Sequence, residues 1–88
     1  MYHVRWEDSA VAELADIWTK ADSPLRHIIT KVTRQIDRQL QADPLATSES
    51  RPEGRYVLFG APLGITFRIE DDGRTVSVLR VWLFRKRK

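Results

Sequence analysis

The sequence predicts an α+β domain of order β-α-α-β-β-β, in which two helices pack on one face of a mainly antiparallel four-stranded sheet. Three observations predict this class: an N-terminal segment that alternates apolar and polar residues, two segments with helical periodicity, and three apolar segments separated by turn residues in the last third of the chain. The length predicts one domain, residues 1–88, close to the lower size at which a chain folds around a single core.

The first strand and both helices are predicted from the first half of the chain. Residues 2–7, YHVRWE, alternate apolar with polar side chains, as a half-buried strand does. Asp8-Ser9 offers side-chain oxygens to free amide groups, and apolar residues at spacings of three and four then predict a helix over residues 10–21. Ser23-Pro24, with serine as N-cap and proline at the first helical position, predicts a second helix that ends before Asp43-Pro44.

The remaining elements are a loop and a three-stranded meander. Residues 43–55, DPLATSESRPEGR, contain two prolines and a glycine and are predicted as a loop. Strands are predicted over residues 55–59, 65–70 and 76–84, and the segment DDGR at 71–74 is a hairpin signal. The last strand is apolar without alternation, which predicts a central strand covered on both faces. The first strand is expected either at an edge or beside the last strand.

Basic charge is concentrated in the C-terminal half of the chain. Residues 1–50 contain six Lys or Arg and eight Asp or Glu, whereas residues 51–88 contain nine and four, which gives the net charge of +3. Such a half suits contact with phosphates or with an acidic partner. The chain contains no cysteine and no apolar segment of the ~20 residues that a membrane span requires, so we expect a cytoplasmic protein without disulfides or thiolate metal sites.

Strand parity predicts that cationic side chains gather on the sheet face opposite the helices. Arg80 would carry a large desolvation cost among helix-packed side chains, so it is expected on the open face. The same parity places Arg5 and Arg68 there, with His3 and Trp82 nearby, and it turns Val78 to the open face as well. Guanidinium groups and aromatic rings suit an anionic partner, but pairing of Arg68 and Glu70 with cross-strand neighbours and a solubilising tail explain the same residues equally well.

Three stretches resemble the RelE/ParE superfamily of bacterial toxins from type II toxin–antitoxin pairs, and more closely its ParE-like branch. They are VRWEDSAVAELADIW at Val4–Trp18, DPL at Asp43–Leu45 and GRYVLFGAPLGITFRIEDDGRTVSVLRVW at Gly54–Trp82. The resemblance implies a compact toxin that inhibits growth, acts in plasmid stabilisation and is neutralised by a cognate antitoxin. It also implies that the protein contacts operator DNA only indirectly, through that antitoxin.

The resemblance leaves several activities open. Binding and poisoning of DNA gyrase is the favoured one, and ribosome-dependent mRNA cleavage is the second. RelE-like nucleases carry lysines on the first meander strand and a tyrosine or histidine after the last strand, whereas this chain has Val57, Phe59 and the tail LFRKRK at 83–88. No acid–base pair is evident, so whether the protein is an enzyme stays open, and no cofactor or metal is expected. An attenuated, non-toxic relative and a small basic nucleic-acid-binding module are further alternatives.

The candidate site residues follow from parity and resemblance together. We expect contact with a target or an antitoxin from Arg68, Arg80, Trp82, Arg85, Lys86, Arg87 and Lys88, with His3, Arg5 and Tyr56 as secondary candidates. The apolar residues at the end of the last strand form an exposed patch of the kind that marks a partner site. We therefore expect antitoxin binding, or self-association in its absence, at the C-terminal strand and the helix surfaces.

Overall fold

The computed structural model describes residues 1–84, and the basic tail Arg85–Lys88 lies outside the described residues. The elements are β1 (His3–Trp6), α1 (Asp8–Lys20), α2 (Ser23–Ala42), β2 (Glu49–Arg51), β3 (Arg55–Gly60), β4 (Leu63–Ile69) and β5 (Thr75–Leu83), with one 3₁₀ turn at Pro52–Gly54. The strand order in the sheet is β1-β5-β4-β3-β2. Strand β1 runs parallel to β5, and the other neighbouring strands are antiparallel. The predicted α+β class is confirmed.

The sheet has five strands rather than the predicted four. The additional strand, β2, lies inside the segment predicted as a loop and pairs with β3. All three residues of β2 are exposed and polar, so the strand has no apolar alternation from which it could be recognised. The position of β1, which the sequence left open, is beside the last strand.

Helix α2 begins one residue earlier than its serine-proline signal suggests. The N-cap is Asp22, whose side chain accepts a hydrogen bond from the amide of Leu25 at 3.0 Å, whereas Ser23 is already helical. Aspartate and serine are equally good N-caps, so the sequence pattern does not distinguish the two positions. The buried stripe of α2 consists of Ile29, Val32, Ile36 and Leu40. It packs with Leu58, Leu63, Ile65, Phe67, Val76, Val78 and Val81 of the sheet in one hydrophobic core.

A β-bulge in β5 changes which side chains face the helices. Thr66 lies opposite Arg80 and Phe67 lies opposite Val78, so Leu79 has no counterpart on β4. Residues opposite each other in a ladder share a face, and Val78 therefore belongs to the helix-covered core, where it is fully buried. The prediction that Val78 shares the open face with Arg80 is wrong, because simple alternation does not continue through a bulge.

Helix α1 covers the part of β5 that β1 does not reach. Strand β1 ends at Trp6, opposite Val78, and the following edge of β5 would otherwise present unpaired backbone groups. The hydroxyl of Ser9 donates to the carbonyl oxygen of Leu79 at 2.8 Å, and the carboxylate of Glu13 accepts from the amide of Val81 at 3.1 Å. Ser9, expected as a cap of its own helix, thus binds the sheet edge instead. Within residues 1–84 no helix is both long and apolar enough to span a bilayer.

Candidate functional site

The candidate site is the face of the sheet that the helices leave uncovered, called the open face here. Its members follow from the cross-strand register, since paired residues share a face. They are His3, Arg5, Glu49, Arg51, Arg55, Val57, Phe59, Gly64, Thr66, Arg68, Thr75, Ser77, Arg80 and Trp82. Arg51, Arg55 and Phe59 were not among the sequence-based candidates. Their shared face could have been read from the sequence only if β2 and the register of β3 had been known.

Arg80 lies at the margin of the open face, where it pairs with Glu13 of α1. Its Nε lies 2.9 Å and 3.1 Å from the two carboxylate oxygens, and its Nη2 lies 2.8 Å from Oε2. The hydrogen bond from Arg80 holds the pKa of Glu13 below its ordinary value, and the same bond raises the pKa of Arg80. The Arg80 side chain remains 65% exposed. These contacts use only part of its five N–H donors, so it can still bind an external anion.

A second polar network connects three strands near the middle of the open face. Nε of Arg68 donates to Oε2 of Glu70 at 2.9 Å, and the buried Ser77 hydroxyl donates to the same oxygen. Nη2 of Arg5 reaches Glu7 at 3.1 Å and contacts the Ser77 hydroxyl at 3.4 Å. The hydrogen bond from Ser77, and then that from Arg68, keeps the pKa of Glu70 low and so favours its ionised form.

An aromatic cluster occupies the other end of the open face. The rings of Phe59 and Trp82 meet edge to face with centroids 6.2 Å apart, and those of Phe59 and Phe84 do so at 5.4 Å. Gly64 makes this arrangement possible, because a Cβ at that position would lie 2.5 Å from Cε2 of Trp82. Phe59 is 48% exposed, so the cluster offers an apolar surface to a partner.

The secondary candidates do not all reach this surface. Tyr56 lies opposite Phe67 and stacks on it at 5.5 Å between centroids, on the face that the helices cover. His3 is exposed on the open face, two residues before Arg5 on the edge strand β1. The tail candidates Arg85, Lys86, Arg87 and Lys88 lie outside the described residues. Residues 1–84 contain no group of three histidine or carboxylate side chains arranged to hold a metal ion.

An apolar groove lies on the opposite side of the molecule, between α1 and α2. It is lined by Val11, Leu14, Ala15, Trp18, Ile29 and Thr33, among others. Trp18 is 43% exposed. The guanidinium of Arg26 stacks over the Trp18 ring, 4.3 Å from the ring centroid. Arg26 also donates to the carbonyl oxygens of Trp18 and Thr19, which joins the two helices at their connection.

Comparison with solved structures places this fold in the RelE/ParE toxin class. The chain is similar to one in the RelBE2 toxin–antitoxin complex of Mycobacterium tuberculosis, with 26% identity, coverage of 96% and 98% of the two chains and a TM-score of 0.73. A chain of the chromosomal ParDE system of P. aeruginosa has 18% identity, coverage of 97% and 98% and a TM-score of 0.76. The isolated E. coli RelE toxin has 15% identity, coverage of 100% and 89% and a TM-score of 0.64, and these two likenesses concern the fold alone.

The sequence places the protein within this class. The sequence model of the ParE toxin family of type II toxin–antitoxin systems, parDE, matches residues 4–86. The chain belongs to the ParE toxin family. A search of curated protein sequences found no significant match. The expected resemblance to the RelE/ParE superfamily, and to its ParE-like branch, is therefore confirmed.

Proposed function

We propose that the protein inhibits growth by binding an essential target through the open face, with DNA gyrase as the favoured target, and that a cognate antitoxin neutralises it. The carrying observation is that the open face offers cations and aromatic rings, while Glu49 on this face and Glu7 and Glu70 beside it are each held in an ion pair with an arginine. Among residues 1–84, His3 is the one histidine of the open face, while both tyrosines face the helices and both lysines lie on α1 and α2. A surface of this composition supports binding rather than proton transfer.

The antitoxin is expected to cover the apolar groove between α1 and α2. This groove presents exposed Val11 and Trp18, and the exposed Ile28 lies nearby on α2. An apolar segment of a partner would bury these side chains, as in helix-in-groove recognition. The solved complexes of RelBE2 and ParDE support a paired antitoxin for this chain. Such a pair would act in the cytoplasm, would contact operator DNA through the antitoxin, and would serve in plasmid stabilisation.

Ribosome-dependent mRNA cleavage is the second candidate. It is supported by the likeness of the fold to the RelE toxin and by the position of His3 on the open face. His3 would have to take the proton of a 2′-hydroxyl while Arg5 or Arg68 stabilises the phosphate. An attenuated toxin that keeps only antitoxin binding is the remaining possibility, and a growth assay separates it from both.

The test is induction of the full chain in cells, followed by two assays on purified protein. We expect induction to slow growth, co-expression of the neighbouring small gene to restore it, and the protein to inhibit supercoiling by purified gyrase. Trp18→Ser should weaken neutralisation by the antitoxin without weakening the inhibition of gyrase, whereas Arg38→Gln on the exposed face of α2 serves as the matched surface control. Cleavage of a reporter mRNA on translating ribosomes, without any effect on gyrase, would reject the proposed target. Harmless induction would reject the toxic activity altogether.

A further inference from the structure

Four arginines of the open face lie in a single row across the sheet. Arg5 of β1 is opposite Ser77 of β5, Ser77 is opposite Arg68 of β4, Arg68 is opposite Arg55 of β3, and Arg55 is opposite Arg51 of β2. We call Arg5, Arg68, Arg55 and Arg51 the arginine row. Because neighbouring strands are about 4.8 Å apart, the row spans roughly 19 Å from one edge of the sheet to the other.

Repulsion between the arginines of the row destabilises the folded state. Arg51, Arg55 and Arg68 are direct cross-strand neighbours, and like charges in this position are destabilising. Arg55 is exposed and lies between the other two. Among residues 1–84 it has no carboxylate in ion-pair contact. A bound anion would offset the repulsion between these three arginines.

The carboxylates near the row neutralise its positive charge only in part. Glu7 lies 3.1 Å from Arg5, Glu70 lies 2.9 Å from Arg68, and Glu49 lies 3.2 Å from Arg51. Glu70 also accepts from Ser77, which lies between Arg68 and Arg5, so this half of the row is compensated. Arg55 is in ion-pair contact with no carboxylate of residues 1–84. Each ion pair also engages one nitrogen of its guanidinium, which leaves further N–H donors for an external ligand.

We propose that the arginine row binds the phosphodiester backbone of a nucleic acid, independently of base sequence. A nucleic acid strand carries one phosphate per about 3.4 Å of duplex axis, so a row of roughly 19 Å matches five to six nucleotides. Guanidinium forks fit phosphate oxygens. A protein target such as gyrase would find its apolar contact in the aromatic cluster of the same face, whereas the row itself offers only polar groups.

The aromatic cluster on the same face indicates how single strands would differ from duplexes. Gly64, which lies under Trp82, is four residues from Arg68 along β4, which corresponds to about 13 Å. Exposed aromatic rings stack on unpaired bases, so single strands would gain contacts that a duplex lacks. The proposal extends beyond target inhibition, since it holds whether gyrase or the ribosome is the target. It adds a direct backbone contact to the operator contact expected through the antitoxin.

The experiment is fluorescence anisotropy of labelled 20-nucleotide single-stranded DNA, single-stranded RNA and duplex DNA with the full 88-residue chain. We expect the logarithm of the affinity for duplex DNA to fall against the logarithm of salt concentration with a slope of about −3 to −4, as four phosphate contacts require. Arg55→Gln should reduce the magnitude of that slope by about 1 and weaken binding roughly fivefold at about 150 mM salt, equally for different base sequences.

Two control variants make the result decisive. Arg38→Gln removes the same charge from the helical side and should change the affinity less than Arg55→Gln does. A chain with serine at positions 85–88 should still bind and should still respond to Arg55→Gln. Arg55→Gln should also melt no lower than the wild type, because it relieves repulsion with Arg51 and Arg68.

Several outcomes would overturn the proposal. The first is that none of the three probes binds. The second is that Arg55→Gln and Arg38→Gln lose equal affinity. The third is that binding disappears completely when only residues 85–88 are changed. Salt-insensitive binding would likewise contradict it and would indicate an apolar protein surface instead. If the single-stranded probes bind more tightly than the duplex and Trp82→Ala abolishes this preference, the aromatic cluster stacks on bases. If the duplex binds more tightly, the protein contacts the phosphodiester backbone alone.

Discussion

Glu13 of α1 and Arg80 of β5 form a forked ion pair, with Nε and Nη2 of the arginine both within 2.9 Å of the same carboxylate oxygen. The other oxygen of Glu13 accepts from the amide of Val81. One helical carboxylate therefore holds a side chain and the adjacent backbone group of the strand edge. Arg80 thus has a structural partner, in addition to any role that it has in contact with a target.

Removing the Glu13 carboxylate should loosen α1 from the sheet edge. We expect Glu13→Ala to lower the free energy of unfolding by about 1–2 kcal/mol, because the partly buried amide of Val81 loses its acceptor. Glu13→Gln should cost less, since its side-chain oxygen can still accept that bond. Urea denaturation measures both. Asp16→Ala, which removes an exposed carboxylate of the same helix, is the control, and its free energy of unfolding should stay within about 0.5 kcal/mol of the wild type. Equal losses at the two positions would contradict a specific role for Glu13.

Ser77 should control the titration of Glu70. The hydrogen bond from Ser77 is the largest cause of the lowered pKa of Glu70, so Ser77→Ala should move that pKa up towards its ordinary value of 4.5. A carboxylate with a depressed pKa in the folded state stabilises the fold above its unfolded-state pKa, and this contribution is lost as the pH falls through the folded-state pKa. The variant should therefore lose less stability than the wild type between about pH 7 and pH 3.

NMR titration of the Glu70 carboxyl carbon tests this prediction. Ser50→Ala, a substitution at an exposed serine of β2, should leave the titration unchanged. An unshifted Glu70 in Ser77→Ala would show that the ion pair with Arg68 alone keeps that carboxylate ionised.

Gly64 should be required for the position of the Trp82 ring. An added Cβ would lie within 2.8 Å of Cε2, Cζ2 and Nε1 of the indole, so Gly64→Ala should displace the ring and cost about 1–3 kcal/mol of stability. The same substitution in a Trp82→Leu background should cost less, because the clashing atoms are absent. A double-mutant cycle from chemical denaturation measures the difference. Identical costs in both backgrounds would mean that strand geometry, not the indole, requires glycine.

Arg26 should stabilise the junction of the two helices. Its guanidinium binds the carbonyl oxygens of Trp18 and Thr19 at 2.9 Å and 3.0 Å and stacks on the Trp18 ring. Arg26→Lys keeps the charge but loses the fork, so we expect a loss of about 0.5–1.5 kcal/mol. Arg34→Lys on the exposed surface of α2 is the matched control, and thermal melting compares the two. If Arg26→Lys melts at as high a temperature as Arg34→Lys, Arg26 does not stabilise the junction of the two helices.

Elements with regular periodicity, including the short strand β1, were predicted correctly, whereas β2 and the bulge in β5 were not. The apolar stripe of α2 and the meander strands are visible because burial selects their side chains at regular intervals. Strand β2 was missed because both of its faces are exposed, and Val78 was placed on the wrong face because the bulge at Leu79 interrupts alternation. Arg5, Arg68 and Arg80 were placed on the open face by parity, but their ion pairs required the positions of Glu7, Glu70 and Glu13.

The sequence by itself determined the class of fold, the order of every helix and strand except β2, and the side of the sheet on which Arg5, Arg68 and Arg80 lie; its resemblance to known toxins indicated the family. The elements, the fold class and the placement of the arginines depend on local periodicity and on the cost of burying a charge, both of which are local in the chain. Only the tertiary structure decided that β1 joins β5, that Glu13 pairs with Arg80, and that Arg51 and Arg55 continue the row begun by Arg5 and Arg68. Such relationships depend on strand register and helix placement, which arise from packing between residues far apart in sequence.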